Sequence, residues 1–280
     1  MPLSEHIEKT LVDTVMPQHI WQDAIKELNT SLQFAQDRSF LELIAIWAGT
    51  TNVDPRVLQA FSKINRSDFV PADFAHLAYT DRSLQKEGTP VMTRPSLMCY
   101  MIHLLRPQED SVVLEIGSGS GYNAAILSQL ARKVYTIENN PAFAELARTN
   151  LQKHHITNVE VVIGDGADGY KRCGPYDRIL YTAAPSHISE QILTQLAKGG
   201  RAVGLVGNRT INADSIHGNL HTIIRAADGT FREKIDRFPA YFVPLESPHP
   251  GGWTRVGGKY YIASQTTPVK IYNRLTHPRN

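Results

Sequence analysis

Val112-Val113-Leu114-Glu115-Ile116-Gly117-Ser118-Gly119-Ser120-Gly121-Tyr122 decides the fold. A short apolar run ends in three alternating glycines, and a helical pattern follows at once. A glycine-rich turn between a strand and a helix lets the backbone approach a ligand at the carboxyl edge of a parallel sheet. The spacing is E-x-G-x-G-x-G. The dinucleotide fingerprint, G-x-G-x-x-G, aims a helix N-terminus at a pyrophosphate and places its third glycine one residue later. An acid ahead of the glycines suits a ligand with a cationic amino-acid end and no phosphates. S-adenosyl-L-methionine has that chemistry.

Downstream, strands and helices alternate. Ser111–Ile116 reads as a strand and Tyr122–Lys133 as a helix with Ile126, Leu127, Leu130 and Ala131 on one face. Lys133–Glu138 is the second strand. Asn140 is a helix N-cap, with Pro141 at the first helical position and an apolar stripe of Phe143, Leu146, Ala147 and Leu151. Val159–Ile163 and Tyr176–Thr182 are the third and fourth strands. Ile188, Ile192, Leu193 and Leu196 predict a helix that stops at Gly199-Gly200, before a fifth strand over Arg201–Val206. After Gly207, Leu220–Ala226, the turn Asp228-Gly229, and Thr230 to Leu245 read as antiparallel strands. The expectation is an α/β fold: a Rossmann-like, doubly wound, mostly parallel sheet with antiparallel strands at its C-terminal edge.

Two further acids join the loop. Glu138 ends the second strand, about 20 residues after the glycines, where such folds place a ribose-binding carboxylate. Asp165, in Gly164-Asp165-Gly166, directly follows the third strand and is a candidate acceptor for an adenine amino group. With Glu115, Gly117, Ser118, Gly119, Gly121 and Gly166 they form the expected cofactor site.

Outside this core, residues 1–38 carry helical spacing (Ile7, Leu11, Val12, Val15, then Ile20 to Leu32). Residues 248–280 begin Pro-His-Pro-Gly-Gly and offer short strands at Lys259–Ser264 and Val269–Tyr272. The expected division is an N-terminal extension over 1–38, a methyltransferase-type domain over 39–247 and an appendage over 248–280. The 280-residue chain is 42% hydrophobic and 20% charged, a globular composition. A net charge of +2 is too small to argue for nucleic acid. No apolar run approaches the roughly 20 residues of a membrane span, and no signal-peptide pattern opens the chain. Two distant cysteines, Cys99 and Cys173, fit a reducing cytoplasm and argue against a cysteine-based metal site; no metal is expected.

Read together, Leu114–Tyr122, Val134–Glu138, Gly164-Asp165-Gly166, Pro175-Tyr176-Asp177, Thr182-Ala183-Ala184-Pro185 and Gly199-Gly200-Arg201 resemble the protein-L-isoaspartate O-methyltransferases. So do Phe69-Val70-Pro71, Ala78-Tyr79-x-Asp81 and Phe242-Val243-Pro244-Leu245, and the similarity covers roughly residues 39–246. The resemblance implies a class I methyltransferase fold, S-adenosyl-L-methionine as methyl donor, and a carboxylate on a protein or peptide as acceptor. It implies a substrate loop reading Gln-Thr-Ile-Ser-x-Pro. Here that loop reads Pro90-Val91-Met92-Thr93-Arg94-Pro95, so Thr93 takes the place of the serine as the catalytic-side hydroxyl. Met92, Arg94 and Thr182 are the expected substrate-binding residues. Gln85-Lys86-Glu87 departs from the family pattern upstream. That keeps two alternatives open: tailoring of a normal aspartate in a dedicated natural-product peptide, and a non-catalytic cofactor-binding or assembly module. Thr93 or Ser96 is also a candidate N-cap for a helix starting near Leu97.

Overall fold

The computed structural model describes residues 52–212, 215–242, 244–246, 253–256 and 259–262. The helical expectation for residues 1–38 and the strand expectation for Val269–Tyr272 lie outside these residues. Seven strands form one sheet: β1 (Val112–Ile116), β2 (Lys133–Glu138), β3 (Val159–Ile163), β4 (Tyr176–Tyr181), β5 (Leu196–Asn212), β6 (Ser215–Arg225) and β7 (Phe231–Phe242). Their order is β3-β2-β1-β4-β5-β6-β7. The pairings from β3 to β5 are parallel, and β5–β6 and β6–β7 are antiparallel. The expected fold class is the observed one. Two short strands, β8 (Trp253–Val256) and β9 (Lys259–Ile262), pair with each other in a separate sheet.

The strand order reverses between β1 and β4. The crevice outside their carboxyl ends is where open α/β sheets bind ligands. Among the described residues the α-helices are α1 (Pro55–Lys63), α2 (Pro95–Leu105), α3 (Tyr122–Ser128), α4 (Pro141–Lys153) and α5 (Glu190–Leu193). Both faces of the sheet are covered. On one, Met98, Met101 and Ile102 of α2 and Ile126 and Leu127 of α3 pack against Val113 and Leu180. On the other, Ile192, Leu193 and Leu196 meet Leu114, Ile116 and Ile179. Burying each such side chain contributes roughly 1.5–3 kcal/mol, which is why the strands read as near-continuous apolar runs.

The strands expected over Arg201–Val206 and Leu220–Ala226 run longer, as β5 and β6, and three further differences from the sequence reading have a local cause. The helix expected over Tyr122–Lys133 ends at Ser128. Asn158, from the turn before β3, donates to the carbonyls of Ser128 (2.9 Å) and Ala131 (3.0 Å), taking acceptors that a longer helix would use. The helix expected from Ile188 to Gly199 shrinks to Glu190–Leu193, capped by Ser189, whose hydroxyl accepts from Ile192 N. Leu196 already pairs with Tyr176, and Gly199 and Gly200 lie inside β5, where the register shifts beside Arg178. The glycines therefore mark a bulge and not a helix stop: Gly199 has φ +78°. The third difference is the start of α2. Pro95 occupies its first turn, Arg94 is the N-cap residue without a capping side chain, and neither Thr93 nor Ser96 is the cap. Asn140, by contrast, caps α4 as expected, accepting from the N–H groups of Ala142 (2.9 Å) and Phe143 (3.4 Å).

Candidate functional site

The glycine loop leaves β1 by turning sharply three times. Gly117, Gly119 and Gly121 have φ +102°, +53° and +85°. The first is the most constrained: a Cβ there would stand 2.7 Å from the Thr182 hydroxyl. Thr182 closes the end of β4 against β1. Its N–H donates to the Ile116 carbonyl at 3.0 Å, and its hydroxyl lies 2.9 Å from the same oxygen and 2.5 Å from that of Gly117.

Glu138 clips the loop to β2. One carboxylate oxygen accepts from Gly119 N at 3.0 Å and the other from Asn140 N at 3.1 Å. Glu138 is 8% exposed, and that exposure opens into the cleft. Each oxygen keeps lone-pair capacity toward a ligand hydroxyl.

A cleft of about 330 Å³ lies above this edge. One wall is the glycine loop with Ile116 to Ser120, Tyr122 and Asn123; another is Ile137 to Asn140 with Phe143. A third is the loop from Thr89 to Thr93 with Gln85, and the remainder comes from Gly166, Thr182, Ala183 and Pro244 to Glu246. The substrate-side loop is stapled by paired bonds, Leu84 N to Met92 O and Met92 N to Leu84 O, each 2.9 Å. Between them Thr89 N bonds Lys86 O at 3.0 Å, with Gly88 at φ +75°. The last wall returns from the far edge of the sheet: Leu245 N donates to Ala184 O at 2.8 Å.

Of the residues expected to form the site, Gly117, Ser118, Gly119, Glu138, Gly166, Met92, Thr93 and Thr182 line this cleft. Four do not. Glu115 is fully buried beneath the loop; one oxygen lies 2.6 Å from the Thr136 hydroxyl and the other has no partner. Burial, aided by the nearby charge of Glu138 and opposed by Thr136, pushes its pKa to about 8. It is not an exposed acid facing a cationic ligand; it anchors Thr136, whose hydroxyl is 2.8 Å from that of Ser118. Gly121 serves packing, because a Cβ there would meet the backbone of Ala147 in α4 at 3.2 Å. Asp165 accepts from Ala167 N at 2.9 Å in its own turn, while the adjacent Gly166 faces the cleft. Arg94 stays outside the cleft wall, and burial lowers its pKa against the pull of Asp81.

Tyr122, Asn123, Asn139, Phe143 and Leu245 line the cleft without having been singled out as site residues. Phe143 and Leu245 read as ordinary core positions, and only the return of the chain to Ala184 brings Leu245 there.

The chemistry of the lining tests which ligand fits. Among the described residues of the lining, the charged ones are Glu138 and Glu246, both acids, with no lysine, arginine or histidine beside them. Phosphates would meet no countercharge, whereas a ribose and a cationic sulfonium–ammonium ligand match. Fold and site together define a class I methyltransferase-type protein. The family model for protein-L-isoaspartate(D-aspartate) O-methyltransferase matches residues 42–249, and the chain belongs to that family. A relative from Methanoregula boonei is 44% identical over 207 residues, covering 74% of this chain and 90% of its own. One from Methanospirillum hungatei is 40% identical over 203 residues, covering 72% and 89%. Both are named protein-L-isoaspartate O-methyltransferase. A solved structure of that name superposes with a TM-score of 0.62 at 26% identity, covering 72% of this chain and 65% of the other. A Plasmodium falciparum structure, described as a putative member in complex with S-adenosyl-L-homocysteine, gives a TM-score of 0.61 at 17% identity, covering 74% and 96%, and so shares the fold.

Proposed function

We propose that the chain is an S-adenosyl-L-methionine-dependent methyltransferase that esterifies the free carboxylate of isoaspartyl residues in proteins. The observation that carries the cofactor is the pair of acids, Glu138 and Glu246, that are the charged residues of the described lining, beside a glycine loop clipped by Glu138. Family membership carries the acceptor.

When bound, S-adenosyl-L-methionine supplies a methyl group already activated by a sulfonium. The protein's work is then positioning. A carboxyl acceptor with a pKa near 4 is ionised at neutral pH, so no general base is required. Glu138 holds the loop and offers acceptor capacity toward ribose hydroxyls. Val91, Met92, Ile116 and Leu245 supply apolar wall that excludes water. Thr93, on the substrate side of the cleft, offers a hydroxyl to the acceptor. Orienting two reactants in this way contributes on the order of 7–11 kcal/mol to a bimolecular step.

The proposal keeps residues 39–247 as the methyltransferase domain, 1–38 and 248–280 as extensions, and a protein or peptide as the acceptor. A cytoplasmic setting is supported by two cysteines, both free, and no helix among the described residues is long and apolar enough to cross a membrane. One observation favours a second reading, methylation of normal aspartate in a dedicated peptide. The departures from the family's loop motif, Gln85 and Pro90 to Met92, fall on the substrate wall of the cleft. Labelled methyl transfer to matched isoaspartyl and aspartyl peptides separates the two. A base-labile label on the isoaspartyl peptide alone is expected; a label on the aspartyl peptide alone selects the second reading, and a base-stable product refutes both.

A further inference from the structure

Arg66 is fully buried, although arginine is among the residues least often found there. It precedes Phe69-Val70-Pro71, a motif that contributes nothing to the cleft wall. Its two Nη nitrogens meet four carbonyls: Nη1 donates to Ala78 at 2.7 Å and Thr80 at 3.5 Å, and Nη2 to Arg82 at 3.3 Å and Thr93 at 3.1 Å. Its Cζ stands 5.9 Å from the centre of the Tyr122 ring. Thr93 belongs to the substrate wall and Tyr122 follows the glycine loop. Nearby, Phe69 packs on Tyr122 at 5.5 Å and stacks on His154 at 4.9 Å, fixing the segment that carries Arg66.

We propose that Arg66 is a positioning residue for substrate: by tying the carbonyl of Thr93 to those of Ala78, Thr80 and Arg82 and resting on Tyr122, it sets the substrate loop at its working distance from the glycine loop. The proposal rests on the methyl-transfer reading of the cleft. A planar guanidinium suits the task because it presents donors in a fixed fork that reaches separated acceptors; an ammonium concentrates its three donors on one atom. Burial lowers the Arg66 pKa, yet arginine stays charged, so the clamp holds at any physiological pH. The Ala78 contact is fully buried, and those to Thr80, Arg82 and Thr93 are partly buried.

The test compares wild type with Arg66→Lys and Arg66→Gly, measuring the Kd for S-adenosyl-L-methionine and the KM for an isoaspartyl peptide at a temperature where circular dichroism shows each variant folded. For Arg66→Lys we expect the peptide KM to rise at least fivefold with the cofactor Kd unchanged within twofold. Millimolar guanidinium should restore part of the loss in Arg66→Gly. A smaller rise in peptide KM, or an equal loss of cofactor affinity, overturns the proposal, since a general structural support would weaken both ligands alike. If neither variant folds, the Nη protons of Arg66 in nitrogen-15-labelled wild type decide: slow exchange that responds to the peptide supports the clamp, and fast exchange or no response overturns it. If wild type methylates no peptide, the functional reading fails instead. The clamp is then judged by hydrogen exchange at the Leu84 and Met92 amides, with rates equal in wild type and Arg66→Lys overturning it.

Discussion

The carboxylate of Asp81 holds both polar hydrogens of Ser96: it accepts from the backbone N–H at 2.9 Å and from the hydroxyl at 2.7 Å. Ser96 is in the first turn of α2, whose N-cap residue provides no side-chain bond. An acid 15 residues upstream therefore does the work of a cap and fixes where the substrate loop enters the helix. The Ala78-Tyr79-x-Asp81 motif gains a physical reason from this pair.

Asp81→Ala should lower the free energy of unfolding by about 2 kcal/mol, because hydrogen bonds to a charged group contribute roughly 1.5–3 kcal/mol and the N–H of the buried Ser96 loses its acceptor. Asp81→Asn should lose about half as much, since the amide oxygen keeps one of the two bonds. Urea titrations of the three proteins measure both. An unchanged midpoint in Asp81→Ala would show that the pair contributes nothing to stability.

Glu115 gives a pH dependence with a definite sign. Its pKa is raised to about 8 in the fold, against 4.5 for a free carboxyl. Between those values the folded state binds more protons than the unfolded one, so this group's contribution to stability is complete below about pH 4.5. It is lost as pH rises through the folded value near 8. Glu115→Gln removes the titration and keeps an amide facing Thr136. The variant should gain stability relative to wild type between pH 5 and pH 8, by at least about 1 kcal/mol. Equal differences at the two pH values would mean that Glu115 is ionised in place.

Gly117→Ala meets two obstacles, a φ of +102° and a Cβ 2.7 Å from the Thr182 hydroxyl. Strain of this kind costs of order 1–3 kcal/mol. Cofactor affinity should fall about tenfold or more by calorimetry, and adding Thr182→Ala should recover part of it by relieving the contact but not the dihedral strain. Full recovery in the double variant would place the whole effect in the contact.

Thr93 no longer competes as a helix cap, which simplifies its test. Thr93→Ala should leave stability within about 0.5 kcal/mol, as expected for a substitution away from caps and core. It should leave cofactor affinity within a few-fold and reduce single-turnover methyl transfer by one to two decades, equivalent to a lost bond of roughly 1.5–3 kcal/mol. Thr93→Ser should retain most of the rate. Wild-type turnover in Thr93→Ala would assign recognition to the rest of the substrate wall, Gln85 and Thr89 to Met92.

The sequence by itself determined the strand–helix alternation, the doubly wound sheet with its antiparallel edge, and the glycine loop with Glu138. Each of these is local. Period, caps and turn glycines act within a few residues, and Asn140-Pro141 or Gly117-Ser118-Gly119 carry their geometry wherever the chain places them. Tertiary structure decided what depends on neighbours remote in sequence. Asn158 ended α3 early, and pairing with Tyr176 turned Leu196 from helix to strand. Burial under the loop changed Glu115 from an expected ligand into an anchor for Thr136 with a raised pKa, because the cost of charge depends on surroundings that no local pattern encodes. The return of Leu245 to Ala184, the bond from Ser96 to Asp81 and the four carbonyls around Arg66 join segments that only the folded chain brings together.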